Sequence, residues 1–145
     1  MTLAVRHTGI VVDNLELCLD FWCNQLGFVV RTRMDEAGPH IDAIMELHDV
    51  RVTTVKMAAA DGSLVELLKF HSHPDKPAWT GGPTTTGPTH VALTVSDLDE
   101  LYVRLQGAGA RFHAPPQYSP DGKAKFTYCL GPENLLLELV EVLVR

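Results

Sequence analysis

The sequence predicts an α+β fold made of two βαβββ modules related by internal duplication. Each half of the 145-residue chain has the pattern of one strand, one amphipathic helix and three further strands. A segment rich in proline and glycine, residues 73–87, separates the halves. The halves also match locally, since HTGIVVDNLE resembles HVALTVSDLD and VELLKF resembles LELVEV. We therefore expect a single domain, 1–145, built from modules 1–72 and 88–145.

The first module alternates apolar runs with turn residues. VRHTGIVV and FVVRTRM predict strands on either side of a helix in DNLELCLDFWCNQLG, which Asp13 or Asn14 can cap and Gly27 can end. RVTTVKMAA and SLVELLKF predict two more strands, joined by a hairpin turn at Asp61-Gly62. The connection over residues 35–50 is expected to be irregular, with one helical turn at IDAIMEL.

The second module repeats this order. THVALTV predicts a strand, and SDLDELYVRLQGAG predicts a helix that Ser96 or Asp97 caps. A strand near ARFHA, a turn at Pro120-Asp121-Gly122 and the strands KAKFTYCL and NLLLELVEV complete the module.

Composition and charge exclude several classes of partner. The net charge is −6 and no basic stripe occurs, so nucleic acid is not expected as a partner. Every apolar stretch is shorter than the roughly 18 residues that span a bilayer, and the N-terminus lacks the pattern of a signal peptide. The three cysteines show no CxxC spacing and indicate a reducing compartment. We expect a cytoplasmic protein with no membrane partner.

Two histidines and two glutamates occupy matching positions in the two modules. His7 and His90 lie in the first strand of their module, whereas Glu66 and Glu138 lie in the last. Side chains alternate between the two faces of a strand. Each histidine therefore shares its face with a small residue, which leaves room beside the imidazole: Gly9 and Ala92.

The two glutamates interrupt apolar runs, which requires an explanation. A single strand histidine is usually a hydrogen-bonded structural residue, and a single strand glutamate usually faces water at a sheet edge. Burying both carboxylates without partners would cost several kcal/mol each. A divalent cation removes that cost. The matching positions predict that a two-fold arrangement brings together four metal ligands: His7, Glu66, His90 and Glu138.

At these residues the chain resembles the vicinal oxygen chelate superfamily. This superfamily includes glyoxalase I, methylmalonyl-CoA epimerase, extradiol dioxygenases and the fosfomycin and bleomycin resistance proteins. The resemblance covers nearly the whole chain and is most specific at HTGIVVDNLE, HVALTVSDLDEL and LGPENLLLELVEV. It implies curved mixed sheets around a metal cleft, and it places the same two histidines and two glutamates at the ligand positions.

The ligand set implies a class of activity. It is more similar to that of bacterial glyoxalase I than to the 2-His-1-carboxylate set of the dioxygenases, and VELLKF also resembles a strand of the epimerases. The resemblance implies one divalent metal ion (Zn, Ni, Co, Mn or Fe), which a small-molecule substrate chelates through two neighbouring oxygens. It would act as a Lewis acid and stabilise an enediolate or enolate while Glu138 or Glu66 takes the proton. We therefore expect a metal-dependent lyase or isomerase.

Other polar residues are weaker candidates for substrate contacts. Three of them lie on the penultimate strand and its turn, where they suit an anionic substrate: Lys123, Lys125 and Tyr128. The other two, His40 and Glu46, lie in the connection that could cover the cleft.

Two alternative functions stay open at this point. One is a drug- or small-ligand-binding resistance protein, and the other is a fosfomycin-type enzyme that transfers a thiol or water with a metal. Because sheet edges and cleft rims need cover, we expect a homodimer, and the cleft can form within one chain or across the dimer.

Overall fold

The computed structural model describes residues 1–79 and 82–143. It divides into two compact units, Met1–Pro77 and Ala78–Arg145. Each unit contains a mixed β-sheet and helical segments, so the predicted α+β class is confirmed. No helix within the described residues is long and apolar enough to cross a membrane.

The first unit forms a four-stranded sheet with two α-helices. Its elements are β1 (Thr8–Val11), α1 (Leu15–Leu19), β2 (Val29–Ala37), α2 (Pro39–Met45), β3 (Arg51–Ala58) and β4 (Leu64–Phe70). The strand order is β1-β4-β3-β2. β1 runs parallel to β4, whereas β3 is antiparallel to both β2 and β4. A parallel pair needs a long crossover connection, and the chain from α1 to β3 provides it between β1 and β4.

The first helix departs from the single α-helix that the sequence predicts. α1 ends at Leu19, and the chain continues as a π-helical segment, Asp20–Gln25, in which the Leu26 amide donates to the Phe21 carbonyl at 3.0 Å. The wider turn lets consecutive aromatic side chains both enter the core. Trp22 is 1% exposed and packs edge-to-face on Phe28, with ring centroids 5.0 Å apart. Packing of these rings therefore overrides the α-helical periodicity.

The second unit also begins with a strand and a helix and ends with an antiparallel strand pair, but two short strands lie between them where the first unit has β2 and α2. Its elements are β5 (Val91–Thr94), α3 (Leu98–Gly107), β6 (Arg111–Phe112), β7 (Gln117–Tyr118), β8 (Ala124–Leu130) and β9 (Leu136–Val142). The order is β5-β9-β8-β6, and β7 also pairs with β8. The strand predicted near ARFHA corresponds to β6, and a further short strand, β7, follows Pro115 and Pro116, which have no amide hydrogen to donate to a ladder.

Each sheet has two chemically different faces. In β9, Leu137 and Leu139 are fully buried beside α3, whereas Glu138 between them points to the opposite face. β4 alternates in the same way, with Val65 and Leu67 buried on either side of Glu66. We call the face that carries the glutamate in each unit the glutamate face.

Trp22→Ala should strongly destabilise the first unit. The change removes a buried indole from the aromatic cluster, and we expect the free energy of unfolding to fall by about 3–5 kcal/mol. Urea denaturation followed by far-UV circular dichroism measures it. Trp79→Ala is the matched control, because Trp79 is 61% exposed and its loss should change stability by less than about 0.5 kcal/mol. Equal effects of the two changes would contradict this account of the core.

Candidate metal centre

A histidine and a glutamate meet on the glutamate face of the first unit. Parallel pairing of β1 and β4 places Gly9 opposite Glu66, and His7 lies two residues before Gly9 on the same side. The His7 Nε2 atom is 3.5 Å from Glu66 Oε1, and the two side chains are 28% and 13% exposed. The pair is therefore largely withdrawn from water at the edge of the sheet.

The second unit contains an equivalent pair. β5 and β9 run parallel with Ala92 opposite Glu138, which is the register position that Gly9 and Glu66 occupy in the first unit. The His90 Nε2 atom is 3.2 Å from Glu138 Oε1. The two units thus place the same donor atoms at the same points of their sheets.

Small residues keep both carboxylates accessible. A Cβ atom at Gly9 would lie 3.9 Å from Glu66 Oε1 and 3.4 Å from a Leu68 methyl group. A larger side chain there would extend over the carboxylate. Ala92 holds the equivalent place beside Glu138, so a small residue stands next to the carboxylate in both units.

The hydrogen bonds of the imidazoles fit a cation between each histidine and its glutamate. His90 Nδ1 lies 2.7 Å from the Thr89 hydroxyl oxygen. When Nδ1 donates its hydrogen to that oxygen, Nε2 directs a lone pair at Glu138. In that tautomer the lone pair repels the carboxylate oxygen, and a metal ion between the two would relieve the repulsion; in the other tautomer Nε2 donates a hydrogen bond to Glu138. His7 Nδ1 is buried with no hydrogen-bond partner among the described residues. Neutral imidazole nitrogens and carboxylates are common ligands of divalent metals.

The two glutamates differ in their second partner. On β3, Lys56 is paired in register with Glu66, and its Nζ atom is 3.6 Å from Glu66 Oε2. On β8, Tyr128 is paired with Glu138 and donates its hydroxyl to Oε1 at 3.3 Å. Burial raises the pKa of Tyr128, and the Glu138 charge adds to that shift. The phenol therefore stays a neutral donor at neutral pH.

An open pocket of about 280 Å³ lies beside the second pair. Its lining consists of Pro83, Thr89, His90, His113, Tyr128 and Leu136. The Tyr128 ring contacts the edge of His90 at 5.2 Å and stacks on His113 at 6.2 Å, measured between ring centroids. The pocket is therefore walled by aromatic and aliphatic groups next to a carboxylate.

The structure separates the predicted substrate residues. Tyr128 lies on the glutamate face, but Lys125 lies on the opposite face, where Nζ contacts Asp99 at 2.6 Å and Glu141 at 3.5 Å. The hydrogen bond to Asp99 raises the pKa of Lys125. The other three candidates are exposed: Lys123 lies near a turn, His40 lies in α2, and Glu46 caps the end of α2. Their contacts with substrate stay predictions.

Sequence reasoning missed Lys56 and His113. Lys56 could have been found by counting back around the Asp61-Gly62 hairpin, because Ala58 pairs with Leu64 and Lys56 therefore pairs with Glu66. His113 follows the short β6 strand, and its amide donates to the Tyr128 carbonyl at 2.9 Å. No periodic pattern in the sequence marks such a strand end.

The predicted ligands come together two by two. His7 is close to Glu66, and His90 is close to Glu138. In the described part of the chain, no group of three or more His, Cys, Asp and Glu side chains is arranged to hold a metal ion. Each unit by itself thus presents half of the predicted ligand set.

Comparison with known proteins identifies the family. Residues 4–139 match the model of the Glyoxalase/Bleomycin resistance protein/Dioxygenase superfamily. The chain belongs to this superfamily. The predicted resemblance is therefore confirmed at the level of the superfamily.

Individual relatives cover nearly the whole chain. A crystal structure of a glyoxalase family protein from Bacillus cereus matches with a TM-score of 0.89 and 27% identity, over 99% of this chain and 96% of that one. The Escherichia coli protein YaeR, which is uncharacterized, is 24% identical over 94% of this chain and 95% of its own length. FosX from Listeria monocytogenes, a fosfomycin resistance protein crystallised with Mn(II) and sulfate, has a TM-score of 0.66 and 14% identity, over 97% and 93% of the two chains. The last similarity concerns the fold alone.

Proposed function

We propose that this protein is a metal-dependent lyase or isomerase, of the glyoxalase I or epimerase type, that moves a proton next to a carbonyl group. One divalent ion (Zn, Ni, Co, Mn or Fe) would be held by His7, Glu66, His90 and Glu138. The observation that carries the proposal is the repeated pair, in which a histidine Nε2 faces a strand glutamate at the same register position of both units. Membership of a superfamily that contains glyoxalases supports it.

The chemistry divides between the ion and the side chains. A bound divalent ion supplies a Lewis acid that polarises a substrate carbonyl. Glu138 is our candidate for the base, because its Oε1 is held by both His90 and Tyr128, and both of these residues line the pocket. Oε2 would take the proton from the carbon next to the carbonyl and return it to the neighbouring carbon, so that the reaction leaves the protein unchanged.

The ligand set is complete only when the two pairs meet. We propose that the protein is a homodimer, as sheet edges without partners favour association. The four ligands would then come from one chain or from two copies. A small molecule with neighbouring oxygens is the proposed substrate, since a bound divalent ion would favour oxygen ligands that the substrate can supply.

The first prediction concerns metal content. After exposure to mixed Zn, Ni, Co, Mn and Fe and desalting, elemental analysis should find about one ion per chain, and His90→Ala should lose it, because a metal site rarely survives removal of a ligand. His113→Ala is the matched control, because His113 lines the same pocket and is not a proposed ligand.

Two results of the metal measurement would count against the proposal. Absence of metal from the wild type would exclude the four-ligand site and favour a drug- or ligand-binding protein. Retention of metal in His90→Ala would place the ion elsewhere.

The second prediction concerns proton transfer. In deuterated water, the metal-loaded protein should exchange the hydrogen next to the carbonyl of a 2-oxo or thioester compound, as followed by NMR. Glu138→Gln keeps a ligand oxygen but loses the base, and we expect exchange to slow by roughly 10²–10⁴-fold.

Glu141→Gln is the control for this experiment, because Glu141 lies on the same strand and contacts Lys125 on the other face. Equal exchange in both variants at equal metal content would exclude Glu138 as the base. Consumption of fosfomycin without exchange would instead favour a thiol- or water-transferring enzyme.

The third prediction asks which copies supply the ligands. One variant carries His7→Ala and Glu66→Ala, and the other carries His90→Ala and Glu138→Ala. If the ligands come from two copies, a co-expressed mixed dimer keeps one intact site and should bind about half of the wild-type metal. If they come from one chain, the mixed dimer should bind none, and light scattering of the purified protein establishes whether a dimer exists at all.

A further inference from the structure

The second strand of the first unit, β2, has a long free edge. It contains nine residues and lies at the end of the strand order β1-β4-β3-β2, so one side of its backbone has no strand partner among the described residues. The other edge strands of the two described sheets are shorter, with four residues in β1 and in β5 and two in β6. An unpaired row of amide and carbonyl groups is a template for a further strand. Its length therefore makes β2 the edge that offers the longest such template.

The edge of β2 also lacks most of the usual protection. Short strands, prolines, bulges and lysines are the common devices that keep sheet edges from associating, and the second unit has two-residue strands on either side of consecutive prolines at this place. β2 contains neither proline nor lysine. Its irregularity in register lies near its start, and from Thr32 to Ala37 every residue pairs in turn with β3. This regular stretch is largely exposed and has an apolar side chain at its centre, Met34, which is 50% exposed.

Backbone geometry limits how two copies of β2 can pair antiparallel about a two-fold axis. Along an antiparallel strand, alternate residues direct their amide and carbonyl groups to opposite sides. Outward-facing residues of one copy must therefore meet outward-facing residues of the other. The residue numbers of every facing pair then have the same parity, so the axis passes through a residue and not between two residues.

The charges along β2 favour an axis through Met34. Arg33 and Asp35 are the residues on either side of Met34. With the axis at Met34, Arg33 of each copy lies directly opposite Asp35 of the other copy, and the two Met34 side chains face each other. Opposite charges directly across two strands stabilise the pairing. The strand is thus complementary to itself in this register.

The neighbouring registers bring like charges together. An axis at Arg33, Asp35 or Glu36 places a charged residue opposite its own copy. An axis at Thr32 places Arg31 opposite Arg33. Like charges directly across two strands are destabilising, so the sequence of charges selects one register out of these five.

The contacts that Arg33 and Asp35 make within the unit leave both able to form the new pairs. Arg33 Nη2 lies 3.1 Å from Glu16 Oε1, and the two side chains are 51% and 75% exposed, so this is a surface pair of small energetic value. The guanidinium group carries five N–H donors. Asp35 accepts the Thr53 hydroxyl through Oδ1 at 2.6 Å, and a carboxylate can accept through both of its oxygens.

We infer that β2 is an interface between two copies of this chain, which pair antiparallel through β2 with the two-fold axis at Met34. The pairing joins two four-stranded sheets into one sheet of eight strands and covers both exposed Met34 side chains. A second copy is the partner because the charge pattern complements itself. The inference names an interface for the homodimer proposed above, and it does not depend on the metal centre.

A charge exchange tests the interface, with the dimer dissociation constant measured by analytical ultracentrifugation of the full chain. Arg33→Asp places aspartates opposite each other in both pairs, and Asp35→Arg places arginines opposite each other. Each variant alone should raise the dissociation constant by roughly 10–100-fold. An equimolar mixture of the two variants should return to the wild-type value, because every aspartate then faces an arginine in the mixed dimer.

A matched control separates this register from a general effect of charge. Arg31→Asp makes the same change of charge on the same strand, but residue 31 faces Ala37 when the axis is at Met34. Its dissociation constant should stay within about twofold of the wild-type value, because no charged pair is altered. Thermal melting checks that each variant is folded, and recovery of the dimer on mixing shows it independently.

Four outcomes would overturn the interface. They are a wild-type protein that stays monomeric, a dimer that neither variant weakens, a mixture that fails to recover the dimer, and an Arg31→Asp variant that weakens the dimer as much as Arg33→Asp does. Metal content is measured on the same samples. A monomer that binds metal overturns the interface alone, whereas a β2-paired dimer without metal overturns the metal centre alone.

Discussion

The contact between a strand glutamate and the histidine of a parallel neighbour is the interaction on which each unit depends. A carboxylate placed among apolar side chains costs several kcal/mol unless a positive group or donor meets it. The partner comes from the first strand of the same unit, which has to run parallel to the last strand to present its histidine beside the glutamate. Parallel pairing needs a crossover, and α1 or α3 lies in it. The helix packs on one face of the sheet and so leaves the other face to the pair.

The same constraint explains the residues around each pair. The residue that faces the glutamate across the parallel ladder is small in both units, Gly9 in the first and Ala92 in the second. A long side chain there would cover the carboxylate. The position across the antiparallel ladder is polar in both units, and it supplies the carboxylate with a further partner, Lys56 or Tyr128. The phenol is a neutral donor whose pKa burial raises further, so among these contacts Glu138 lacks the lysine that pairs with Glu66.

Much of this arrangement could be predicted from the residues, and the failures have physical causes. Alternation of side chains along a strand was enough to put the glutamates on one face and their apolar neighbours on the other. The same alternation separates Lys125 from Tyr128, since odd and even positions of β8 face opposite ways. The prediction was wrong at the π-helical segment because the packing of Trp22 against Phe28 is tertiary. The split of β6 from β7 reflects prolines, which remove ladder donors without altering the apolar pattern.

Duplicated modules give a protein two copies of a binding pair, and a substrate that is not symmetric needs those copies to differ. The histidines and glutamates keep their register in both units, which is what a shared ion would require of them. The residues opposite the glutamates, which an ion does not need as ligands, carry different chemistry, an ammonium in one unit and a phenol bordered by imidazoles in the other. The duplicated units therefore keep one pair of donor groups in common, and they differ in the polar residue that supports each glutamate.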